Sequence, residues 1–63
     1  MNDFLLSVDE AAKRLATDKN TVYKLIKNGK LSALKIKSLK VRNLEINRFL
    51  QENDGKDLDE FIR

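Results

Sequence analysis

The sequence predicts a mainly α domain with a small β-hairpin, and three observations carry that expectation. Apolar residues recur at helical spacing in three separate segments. Between the second and third of these the period drops from 3.6 to 2. Turn residues stand where the segments should break. Each element follows from its own residues.

Ser7-Val8-Asp9-Glu10 has the pattern of a capping box, in which the serine side chain accepts from the glutamate amide and the glutamate reaches back. Val8, Ala11, Ala12 and Leu15 then follow at i, i+3, i+4 and i+7, one buried face of a helix over about residues 8–15. Asp9 and Glu10 fall in the first turn, and Lys13 and Arg14 near the end, in the sense the helix dipole favours. Asp18 is an N-cap for a second helix with Val22, Leu25 and Ile26 as its stripe, and Gly29 is a natural C′ residue beyond its end.

Leu34 and Ile36 alternate with Lys35, and Leu39 and Val41 with Lys40 and Arg42, which reads as two strands joined by a two-residue loop at Lys37-Ser38. On that reading one face of the ribbon is apolar and the other basic. Asn43 is the expected cap of a third helix carrying Leu44, Ile46, Phe49 and Leu50, ending near Glu52-Asn53 at the turn residues Asn53-Asp54-Gly55. Phe4, Leu5, Leu6, Phe49 and Leu50 are expected in the core. The domain is expected to span residues 1–53, with 54–63 as an acidic C-terminal tail, either a short helix or disordered.

Composition narrows the function classes. The 63 residues contain no Cys and no His, which removes disulfides, thiolate chemistry and nearly every zinc site. With two glycines there is no phosphate-cradling loop, and without a His base or a Cys nucleophile catalysis is not expected; nor is any cofactor or metal. The longest apolar run, Phe4-Leu5-Leu6, is far short of a membrane span, and no secretory leader opens the chain, so a cytoplasmic, nucleoid-associated location is expected.

Charge is the most directive feature. From Lys13 to Arg42 there are ten basic residues and one acid, Asp18, a formal +9 against +3 for the chain, while both flanks are net acidic. Ordinary soluble surfaces intersperse the two signs; segregation of this size marks a surface for a polyanion. It coincides with two short helices joined by a tight polar turn, the second rich in Lys, Asn, Thr and Tyr, which is a helix-turn-helix signature. Two alternatives stay open at residue level: Tyr23 can cover the core edge, and Asn20 and Thr21 can assist the helix cap.

The stretches Leu6-Ser7-Val8-Asp9-Glu10-Ala11-Ala12, Thr21-Val22-Tyr23-Lys24-Leu25-Ile26 and Gly29-Lys30-Leu31, continued to Phe49-Leu50, resemble the excisionase-type, MerR-like winged helix-turn-helix DNA-binding domain. The sequence departs from that pattern at the wing tip, where Lys37-Ser38 replaces a Gly and a basic residue, and at Ser32, where Pro is frequent. The resemblance implies three helices plus a two-stranded wing, with the second helix in a major groove. It implies Lys19, Asn20, Thr21, Tyr23, Lys24 and Lys27 as DNA-binding residues of the recognition helix. Lys35, Lys37, Ser38, Lys40 and Arg42 are the corresponding residues of the wing. Small free-standing members are recombination directionality factors, which bind double-stranded DNA cooperatively, bend it and assist an integrase in excising a mobile element. A small transcriptional regulator of the same fold and a protein-interaction adaptor are the competing readings.

Overall fold

The computed structural model describes residues 3–57. The chain runs β1 (Leu5–Ser7), α1 (Val8–Arg14), α2 (Lys19–Lys27), β2 (Leu34–Ile36), β3 (Ser38–Arg42) and α3 (Asn43–Glu52). The three helices and the hairpin stand where the sequence puts them, in the arrangement of a winged helix-turn-helix.

The capping box of α1 forms: the Glu10 amide donates to Ser7 Oγ at 3.1 Å, and the Ser7 amide donates to Glu10 Oε1 at 2.8 Å. Both α1 and α2 end in the same hydrogen-bonded motif with different residues. After α2, the Lys30 amide donates to the Leu25 carbonyl and Gly29 to Ile26, with Gly29 at φ +75°. After α1, Thr17 donates to Ala12 and Ala16 to Lys13, with Ala16 at φ +55°. An alanine therefore occupies the left-handed position that glycine fills at no steric cost. This Schellman turn makes the tight corner between the two helices.

Sequence reading missed β1. Phe4-Leu5-Leu6 is not a uniform core segment: Leu5–Ser7 pairs antiparallel with β3, giving a three-stranded sheet of order β1-β3-β2. Strand alternation then sends Leu6 inward opposite Val41 and Leu5 outward opposite Arg42. Phe4, Leu5 and also Leu50 are exposed rather than buried. The core comprises Leu6, Val8, Ala11, Ala12, Val22, Leu25, Leu31, Val41, Ile46 and Phe49, so every element except β2 contributes a buried side chain. Small Ala11 and Ala12 let α1 and α2 approach closely.

The cap of α3 also differs from expectation. Asn43 is the first helical residue, and Arg42 before it makes no side-chain cap bond. The free amides of this helix are met from the N-terminal segment instead: Asn43 donates to the Phe4 carbonyl at 2.8 Å and Leu44 to Asp3 Oδ1 at 3.1 Å. Asn43 Oδ1 accepts from Arg14 Nη1 at 2.6 Å, which ties α3 to α1. Gly55, at φ +81°, closes the expected turn after α3. Most of the acidic tail, residues 58–63, lies outside the described residues.

Candidate nucleic-acid interface

The second helix presents its polar face as its periodicity requires. Val22 and Leu25 are buried, and Asn20, Lys24 and Lys27, at i, i+4 and i+7, occupy the opposite, exposed side. Asp18 Oδ1 accepts from the Thr21 amide at 2.8 Å. The Thr21 side chain and amide hold the Asp18 carboxyl below its ordinary value. Thr21 is thereby a half-buried part of the cap. Tyr23 is 47 % exposed and lines a cleft with Ser38 and Leu39 of β3.

The wing differs from expectation by one residue. Its pairs are Leu34 with Lys40, Lys35 with Leu39 and Ile36 with Ser38, so Lys37 alone forms the tip, at φ +65°. A two-residue loop would have paired Ile36 with Leu39 and put every apolar side chain on one face. A one-residue slip turns each side chain of a strand to the other face. Leu34 and Ile36 therefore project outward beside Ser38, Lys40 and Arg42, at 43 % and 55 % exposure, while Lys35 shares the inner face with Leu39 and Val41. The expected division into an apolar and a basic face does not form.

Folding brings part of the basic stretch together and withdraws part of it. Lys19 and Tyr23 of α2, Ser38 and Leu39 of β3, and Ser7, Val8 and Asp9 line a common cleft of about 180 Å³. Lys27, Lys35, Lys37 and Lys40 enter no ion pair among the described residues, and Lys37 stands at the wing tip. Arg42 is different: its Nε donates to Asp3 Oδ2 at 2.7 Å, and it lines a separate hollow with Ser32, Ala33, Leu34 and Glu45. Lys19 lies 3.7 Å from Asp9. Glu10 feels the charges of Lys40 and Lys13. The acidic N-terminal flank thus folds back against the cationic middle of the chain.

Two supports of this surface escaped sequence reading. Arg48 donates to Glu45 Oε2 at 2.6 Å, to Glu52 Oε1 at 2.8 Å and to the Lys30 carbonyl at 3.1 Å, while Glu45 Oε2 accepts from the Ser32 amide at 2.8 Å. The network fastens the end of α2 and the root of the wing to α3. The Arg48 guanidinium holds the Glu45 carboxyl low, and the two carboxylates keep Arg48 charged. Spacings of three and four residues are the signal that could have found the helix pairs; the backbone targets at Lys30 and Ser32 carry no such signal. The second support joins Arg14 to Asn43 and Asn47 of α3.

No helix among the described residues is long and apolar enough to cross a membrane. No curated protein and no solved structure matches the chain. A protein family does, the helix-turn-helix domain, over residues 5–54. That span takes in all six elements, from the first strand to the last helix. The chain belongs to the helix-turn-helix domain family, a family of DNA-binding domains.

Proposed function

We propose that this protein is a sequence-specific binder of double-stranded DNA that acts architecturally, as an excisionase-like factor assisting integrase-mediated excision of a mobile element. The observation that carries the reading is the shared cleft lined by Lys19 and Tyr23 of the second helix and by Ser38 and Leu39 of the wing. A helix and a hairpin held side by side fit a major groove and the phosphates next to it. Asn20, Lys24 and Lys27 face the base edges, where an asparagine can pair with adenine in a bidentate way. Lys35, Lys37 and Lys40 meet the backbone around the wing.

A single small module makes a modest footprint, about 600–1,000 Å² of protein surface, so useful occupancy draws on neighbouring protomers or an integrase on the same DNA. Wing insertion next to a recognition helix favours a bent duplex.

The test begins with Lys24→Ala/Lys27→Ala. Duplex binding measured by fluorescence anisotropy should weaken at least about tenfold, as expected for two lost charged contacts, with the circular dichroism spectrum unchanged. Undiminished binding would remove α2 as the reader. Bending is then read from mobility of circularly permuted fragments, and the biological role from excision assays with any integrase that the gene's neighbourhood encodes. A straight duplex and unaffected excision would leave a DNA-binding domain without the architectural function.

A further inference from the structure

The cleft between α2 and the wing is lined by an acid that takes no part in the capping hydrogen bonds. Glu10 is committed to the Ser7 amide and Asp18 to the Thr21 amide. Asp9, immediately before Glu10 in sequence, makes no capping bond among the described residues. Among the described residues its carboxylate meets the Lys19 ammonium at 3.7 Å, with the two side chains 64 % and 59 % exposed. An ion pair so open to water adds little to stability. Its effect falls on whatever occupies the cleft that Asp9 lines with Lys19, Tyr23 and Ser38.

A phosphate backbone laid between helix and wing needs the Lys19 ammonium and meets the Asp9 carboxylate at the same place. Asp9 competes for that ammonium and repels the same phosphates. We propose that Asp9 is an affinity-setting residue of the DNA interface, a brake that withholds Lys19 from phosphate contact. The proposal rests on the DNA-binding reading above. It assigns the helix–wing cleft a built-in weakness: one protomer holds DNA loosely, and firm occupancy depends on additional contacts along the duplex.

The test is a double-mutant cycle on the full chain, with wild type, Asp9→Asn, Lys19→Ala and the combined variant titrated against a labelled random-sequence duplex at several salt concentrations. Asp54→Asn, an exposed acid beyond α3, controls for net charge, and circular dichroism checks folding. Asp9→Asn should bind about fivefold tighter, the scale of one charge contact near 4 Å in water. Its logarithmic salt slope should steepen by up to about 0.9, the increment for one more neutralised phosphate. Asp54→Asn should gain much less. Lys19→Ala should cost more in the Asp9→Asn background than in wild type, and Asp9→Ser should repeat the gain.

Unchanged or weaker binding by Asp9→Asn, a gain equal to that of Asp54→Asn, or an equal Lys19→Ala penalty in both backgrounds would overturn the brake while leaving DNA binding in place. Wild type that binds no duplex even in dilute buffer would overturn both.

Discussion

Single residues at left-handed backbone positions set the corners after α1 and α2. Gly29 fits its corner, since a side chain there would meet open space but adopt an unfavourable φ. Ala16 occupies the equivalent corner after α1 with a Cβ that crowds the neighbouring carbonyl, at a cost of about 1–2 kcal/mol. Glycine loses more chain entropy on folding, by about 0.5–1 kcal/mol. Ala16→Gly should therefore stabilise the fold by about 0.5–1 kcal/mol, seen as a higher urea midpoint with an unchanged slope. A lower midpoint would mean that the corner is not strained. Lys37 at the wing tip has the same backbone sign, but its charge sits where phosphate contact is proposed, so relief there would be bought with affinity.

Among the elements, a common device appears: each helix N-terminus is met by a carboxylate. Glu10 reaches back over α1, Asp18 caps α2, and Asp3 arrives from the far end of the sequence to cap α3. Glu45, inside α3, secures the loop that leads into the wing. All four carboxyls lie below their ordinary values of 3.8 or 4.5. The leading causes are the Leu44 amide for Asp3, the Ser7 amide for Glu10, the Thr21 side chain for Asp18 and the Arg48 guanidinium for Glu45. A group depressed in the folded state contributes fully above its unfolded value and loses that contribution as pH falls through the folded one. The urea midpoint should therefore be level from pH 7 to about 5 and fall progressively below about pH 4. A midpoint constant down to about pH 2 would show that these caps do not stabilise the fold.

Across the whole molecule, charge is arranged more economically than the linear count of +9 suggests. Asp3 neutralises Arg42, and Asp9 draws on Lys19, so the cations left for a polyanion centre on Lys27, Lys35, Lys37 and Lys40. Contact of these four with phosphates would give a logarithmic salt slope of roughly −4 for duplex binding. Anisotropy titrations across a range of salt concentrations measure it directly. A slope near zero would transfer the charged surface to the adaptor reading, in which an acidic protein takes the place of DNA.

The sequence alone determined the three helices, the first two caps, the corner at Gly29 and the existence of the hairpin. Those features depend on neighbours within a turn or two, where periodicity and capping chemistry act. Only the tertiary structure decided the strand at Leu5–Ser7, the cap that Asp3 supplies to α3 and the register of the wing. Each joins residues remote in sequence or turns on a one-residue choice of loop, to which local pattern is blind. The same holds at the candidate interface. Which residue types face outward on α2 was legible from spacing, whereas the return of Asp9 to Lys19 and the anchoring of the wing root by Arg48 follow from how the elements pack.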